Sequence, residues 1–221
     1  MAKPLTALIA GASGLVGGEC LRLLLASKRY ERVTVLTRRD LGAAGRHRKA
    51  VQVITDLSGL DNVTADTWRC DHVFCALGTT IRKAGSQARF REVDFEYPRR
   101  VAQLTRAAGA SCFALVSALG ASRASPFFYS RVKGDLEAAL RAMHWPSLCI
   151  VRPSLIAGDR GESRPLERLA EAALRIAPRT WRPVHAREIA GAMVQTAARA
   201  PVGVTIIESR DIPAIARSGV D

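Results

Sequence analysis

Tyr129 and Lys133 stand four residues apart in Tyr129-Ser130-Arg131-Val132-Lys133, and Ser117 precedes the tyrosine by twelve residues. An i, i+4 spacing puts both side chains on one face of a helix. The Lys133 ammonium would then favour the phenolate of Tyr129, a group that ionises only near pH ~10 when free. A phenol adjusted in this way can act as an acid or base near neutrality. Ser117 could donate a hydrogen bond to a carbonyl on a bound ligand. Far upstream, Gly11-Ala12-Ser13-Gly14-Leu15-Val16-Gly17 places three glycines between an apolar run and a segment of helical periodicity. Unpaired N–H groups and the macrodipole at such a helix start suit a pyrophosphate, and glycine lets the backbone approach it closely. The spacing departs from G-x-G-x-x-G. In this order, the two motifs describe a dinucleotide site followed by a proton donor. The chain is therefore expected to be an NAD(P)-dependent oxidoreductase.

The second apolar run ends in Leu36-Thr37-Arg38-Arg39. An acidic side chain there usually holds a free ribose 2′-hydroxyl. Two guanidinium groups suit a 2′-phosphate instead, which favours NADP over NAD. The plain alternative is a solvated turn in which Asp40 neutralises part of the charge. Asp56 and Leu57, after the third run, could meet the adenine. Leu77 and Gly78, after the fourth, could pack on the adenosine half. For Tyr129 and Lys133 the plain alternative is an exposed tyrosine and an exposed cation on an amphipathic helix.

These residues need a scaffold of alternating strands and helices. Apolar runs predict strands at 5–10, 32–37, 51–55, 72–77, 112–117, 148–152 and 204–208. Helical spacing predicts helices at 15–26, 95–108, 127–143, 165–176 and 187–198, with Pro98 tolerated in a first turn. This pattern predicts a single three-layer αβα domain over 1–221, a doubly wound parallel sheet of about seven strands with a short C-terminal helical lid. No repeat or flexible linker divides it.

The net charge of +13 raises nucleic acid as a partner. However, the basic clusters Arg46-His47-Arg48-Lys49, Arg82-Lys83 and Arg99-Arg100 are dispersed and carry no interleaved aromatics, so nucleic acid is not expected. A basic cleft would also attract a dinucleotide. No run approaches the ~20 apolar residues of a membrane span, and no secretory leader is evident; a soluble, cytoplasmic protein is expected. The five scattered cysteines show no metal-ligand spacing and are expected to be reduced, with no metal bound. A small-molecule substrate is expected, its identity open, and the sequence leaves room for a homodimer or a protein partner.

These residues resemble the short-chain dehydrogenase/reductase superfamily along nearly the whole chain. The segments Gly11–Gly14, Arg38-Arg39, Cys75–Thr80, Val93-Asp94, Tyr129–Gly134, Arg152-Pro153 and Asp159–Pro165 look like its atypical branch of HIV Tat-interacting protein 2 type oxidoreductases. The resemblance implies an NADPH-binding Rossmann domain. It implies Ser13, Gly14, Leu15 and Val16 on the pyrophosphate, Arg38 and Arg39 on the 2′-phosphate, and Leu77 and Gly78 at the adenosine. It also implies Ile156 near the nicotinamide and Arg164 near the phosphates, with Tyr129 and Lys133 touching the ribose. The chain departs from the pattern in three respects: Asp94 stands in the helix region where many short-chain reductases have their relay asparagine, Leu15 and Val16 stand where relatives can carry polar residues, and the C-terminal part is short, with Glu162–Ile176 as the expected lid. Three readings follow: a reductase with Tyr129 as proton donor, an NADPH-binding redox-sensing regulator with little turnover, and a sugar-nucleotide or nucleic-acid-binding module.

Overall fold

Seven parallel strands form one sheet in the order β3-β2-β1-β4-β5-β6-β9. They are β1 (Leu5–Ala10), β2 (Tyr30–Thr37), β3 (Ala50–Ile54), β4 (His72–Cys75), β5 (Cys112–Val116), β6 (Ser147–Arg152) and β9 (Gly203–Glu208). A small separate ladder pairs β7 (Ile156–Ala157) with β8 (Val184–His185). The structure is a computed structural model and describes residues 4–157 and 182–218. The expected helix at 165–176, the lid it would form, and Arg164 lie outside the described residues.

Successive residues of the central strands serve opposite layers, as a sheet covered on both faces requires. Ala7 and Ile9 of β1 join a core with Val33, Phe74, Ala114 and Val151. That core packs under α1 (Leu15–Ala26), α6 (Ala186–Arg199) and the short α7 (Ile212–Arg217). Leu8 and Ala10 join the opposite core with Val73, Leu115 and Ile150. It is covered by α4 (Tyr97–Ala107) and α5 (Phe128–Arg141), with Trp68 and Trp145 closing its ends. The result is a three-layer Rossmann fold. Strand order reverses between β1 and β4, so a crevice opens there beyond their carboxyl ends.

The helix expected at 95–108 begins earlier. A turn, α2 (Ile81–Ala84), precedes α3 (Gln87–Arg91), whose start is capped by the Ser86 hydroxyl accepting from the Arg89 N–H at 3.1 Å. The backbone stays right-handed helical from α3 through a π turn, Glu92–Glu96, into α4. Pro98 therefore sits inside a continuous helix. It donates no N–H and crowds the carbonyl four residues back, that of Asp94. The wider π turn at that point accommodates both effects.

Candidate active site at the sheet's switch point

Gly11 leaves β1 with φ of 93°, a left-handed conformation costly to any residue with a Cβ. A Cβ there would also stand 2.5 Å from the Ala76 carbonyl oxygen at the exit of β4. The loop tightens as the Gly14 N–H donates to the Gly11 carbonyl at 3.0 Å. Helix α1 then starts at Leu15 with no side chain capping it. Gly17 lets the helix lean on the loop, since a Cβ there would fall 2.0 Å from the Gly11 carbonyl oxygen. Ser13 and Gly14 are exposed, Leu15 is half-buried, and Val16 is buried beneath. The open N–H groups of the first turn meet what a pyrophosphate needs.

Arg38 and Arg39 follow β2, exposed, and neither guanidinium has a hydrogen-bond or ion-pair partner among the described residues. Asp40 does not pair with them. Its carboxylate accepts from the Gln52 amide at 2.8 Å and the Gly42 N–H at 3.0 Å, and these bonds hold it below the usual carboxylate range. Asp56 likewise folds its own loop, accepting from Ser58 Oγ at 2.7 Å and from the Ser58 and Gly59 N–H groups at 3.1 Å. Leu57 beside it is buried at φ of 68°, a strained angle for a leucine. Leu77 is buried and Gly78 exposed just past β4. Ile156 lies in β7, half exposed.

Tyr129 and Lys133 do occupy one face of α5. Tyr129 is 37% exposed, and its ring lies 5.5 Å from that of the fully buried Phe90 on α3. The loop after β5 clamps the same helix: Ser122 N–H donates to the Ser130 carbonyl at 3.0 Å, and Arg131 donates to the carbonyls of Ser125 and Pro126. Lys133, in contrast, is buried. Its Nζ lies 2.7 Å from Asp94 Oδ1, and the two side chains are 5% and 1% exposed. Asp94 Oδ2 accepts the Thr79 N–H at 2.8 Å. Oδ1 makes no aligned hydrogen bond, so its contact with the ammonium is electrostatic. Burial alone would lower the Lys133 pKa, but Asp94, Tyr129 and Cys75 more than offset it and the net direction is upward. A Cβ on Gly78 would stand 3.3 Å from Asp94 Oδ1 and 3.7 Å from Lys133 Nζ. The glycine backbone thus forms the roof of this pair.

Ser117 follows β5 directly, yet its hydroxyl is turned inward. It donates to Glu137 Oε1 at 2.6 Å. Glu137 is buried one turn beyond Lys133 on α5, and Arg152 reaches it with Nε at 2.9 Å and Nη2 at 2.6 Å. Arg152 continues to Glu208 on β9 at 3.0 Å. In this structure the Ser117 proton is therefore committed to a carboxylate rather than directed at a ligand. Spacing alone could have suggested Glu137, because it continues the Tyr129, Lys133 series at i+8 among the buried Val132, Leu136 and Leu140. Asp94 stood out only through the family resemblance and not through spacing, since a π turn shifts the helical register that would place it.

A cavity of about 520 Å³ opens elsewhere, between α1, α6 and α7, and is lined by Arg29, Tyr30, Arg187 and Val194. None of the dinucleotide-loop residues borders it. No group of three or more His, Cys, Asp or Glu among the described residues could hold a metal ion.

The family model for NAD(P)H-binding proteins matches residues 11–154. Rat protein HTATIP2 is 36% identical over 174 residues, covering 78% of this chain and 72% of the rat protein. Mitochondrial protein FMP52 of Debaryomyces hansenii is 33% identical over 161 residues, covering 72% and 70%. Among solved structures, MoeE5 in complex with UDP-glucose and NAD superposes with a TM-score of 0.70 at 17% identity, over 96% of this chain and 80% of its own. The UDP-N-acetylglucosamine 4-epimerase of Methanobrevibacter ruminantium gives 0.70 at 15% identity, over 94% and 77%. Those two likenesses are of fold. The glycine loop on a Rossmann sheet, the family model and the two curated relatives agree: the chain belongs to the NAD(P)H-binding family, together with HTATIP2 and FMP52.

Proposed function

We propose that the protein is an NADPH-dependent oxidoreductase that reduces a small carbonyl or similar acceptor, with Tyr129 as proton donor. The observation that carries this reading is the pairing of a half-exposed Tyr129 with a buried Lys133 on one helix face, directly behind Gly78 at the switch-point crevice. Bound NADPH would supply the hydride. Tyr129 would give its hydroxyl proton to the acceptor oxygen, and Lys133 would hold the ribose hydroxyls with its N–H donors. Ser13, Gly14, Leu15 and Val16 would present backbone N–H groups to the pyrophosphate. Arg38 and Arg39, which have no partner among the described residues, support a 2′-phosphate, hence NADP(H). Leu77, Gly78, Asp56 and Leu57 would border the adenosine, Ile156 would border the nicotinamide, and Arg164 belongs to the same reading. A cytoplasmic location is part of it too, although the FMP52 relatives carry the word mitochondrial in their name.

Fluorescence titration with NADPH and NADH tests the cofactor. NADPH should bind at least tenfold more tightly, and Arg38→Ala and Arg39→Ala should erase most of that preference. Equal affinities in the parent, unchanged in the variants, would remove the 2′-phosphate argument. A panel of carbonyls and quinones tests the chemistry, with Tyr129→Phe expected to abolish turnover. A second reading, an NADPH-binding regulator with little turnover, is favoured by one observation: the Ser117 hydroxyl donates to Glu137 and is not free to polarise a carbonyl.

A further inference from the structure

We propose that Asp94 is the positioning residue that sets the proton balance of this site: by pairing with Lys133 it cancels the ammonium behind Tyr129 and keeps that tyrosine a phenol, able to give a proton but reluctant to take one. The proposal rests on the reading of Tyr129 as the proton-transfer group. Among the described residues, three groups face the Lys133 ammonium: Asp94 from the π turn, Tyr129 from its own helix and Cys75 from the end of β4. Burial pushes the Cys75 thiol up to about 11, so it contributes no charge near neutrality. One buried cation therefore meets one buried anion, 2.7 Å apart.

The pairing is built into the backbone. The π turn places Asp94 on the inner side of the helix, the Thr79 N–H fixes Oδ2, and the bare Gly78 leaves room for both head groups. A lone ammonium would draw out the phenolate, whereas a matched one has little net field left to do so. In the reductive step the Tyr129 O–H bond breaks and a new O–H bond forms on the acceptor. Bound NADPH would supply the hydride that forms the acceptor's new C–H bond as its carbonyl π bond opens, leaving NADP⁺, and solvent would return the proton to the phenolate. Asp94 opposes phenolate formation and so disfavours the reverse use of Tyr129 as a base on an alcohol.

The test needs neither cofactor nor substrate. The chain has three tyrosines. Tyr30 is held protonated by burial, and Tyr97 is pushed upward by burial and by its hydrogen bond to Glu92. The ultraviolet difference between each protein and its Tyr129→Phe counterpart isolates the phenolate step of Tyr129. Asp94→Asn is expected to move that step down by about one pH unit or more, and Asp94→Glu to leave it in place. An unmoved step in a folded Asp94→Asn protein overturns the proposal. If the unpaired lysine prevents folding, the double variant Asp94→Asn with Lys133→Met removes both buried charges. It should titrate with the parent, within a few tenths of a unit. A step about one unit or more above the parent's would show an uncancelled lysine and overturn the proposal. Failure of NADPH to bind would sink the cofactor reading and leave this measurement standing.

Discussion

Among the described residues, four side chains meet at the Glu137 carboxylate or through it: Ser117, Arg141 and Arg152 directly, and Glu208 through Arg152. A carboxylate at this depth is tolerated because its lone pairs are filled by charged and hydroxyl donors. Replacing it with an amide leaves Arg152 without its main counter-ion. Glu137→Gln should therefore lose about 3 kcal/mol in urea unfolding, less any part that Glu208 recovers for Arg152. His72 gives a second residue-scale expectation. It is buried at the start of β4, with Nδ1 2.9 Å from Tyr30 Oη. Tyr30 stays protonated, so it is the donor and Nδ1 the acceptor, a bond that only neutral imidazole can make. Burial lowers the His72 pKa from its ordinary 6.5. The unfolded chain thus binds the proton first, and stability present above pH ~6.5 is lost as pH falls below it. Thermal melts between pH 7 and pH 5 should show this acid-side decline, and His72→Gln should flatten it. A decline unchanged in the variant would assign it elsewhere.

Helix α5 carries the site, and one glycine shows how it is held. Alanine is worth up to ~1 kcal/mol over glycine inside a helix. At Gly134, however, a Cβ would fall 2.3 Å from the Ser122 carbonyl carbon and 2.5 Å from the Arg123 nitrogen, both backbone atoms. The clash outweighs the propensity gain, so Gly134→Ala should destabilise by about 1–3 kcal/mol in a thermal or urea melt. It should also displace Tyr129, which the same loop braces. A stabilised variant would mean that the loop yields freely. The contrast between strands and helices marks what periodicity can reveal. Strands β1, β5 and β6 and helix α1 announce themselves because each buries a continuous apolar run or stripe. Tyr129 and Lys133 are equally plain, since i, i+4 geometry is local. The α3–α4 helix hides its start in a polar stretch capped only by Ser86, and its π turn breaks the 3.6-residue rhythm. The pairing of Asp94 with Lys133 and the inward turn of Ser117 join residues of different elements, which spacing along the chain does not show to be in contact.

At the scale of the whole molecule, two distributions bear on function: charge and thiols. The chain carries +13, and the two cations after β2 are unpartnered among the described residues. Electrostatic attraction of this kind is screened by salt, so NADPH affinity should fall as ionic strength rises, and more steeply than in the Arg38→Ala variant. The thiols point the other way. All five cysteines are free and buried within the two cores. Burial pushes Cys75 and Cys112 up to about 11 and Cys70 and Cys149 up to about 12, and raises Cys20 further still. Thiolate is the reactive form, and a reactive cysteine needs exposure or a lowered pKa, which none of these has. A redox response of the native protein through its cysteine thiols is therefore disfavoured. An aromatic disulfide reagent should accordingly titrate none of the five thiols in the native protein over minutes, and all five in guanidinium. Hydrogen peroxide at concentrations that oxidise exposed thiolates should leave NADPH binding intact. A cysteine that reacts promptly under native conditions would reopen thiol chemistry as the basis of regulation.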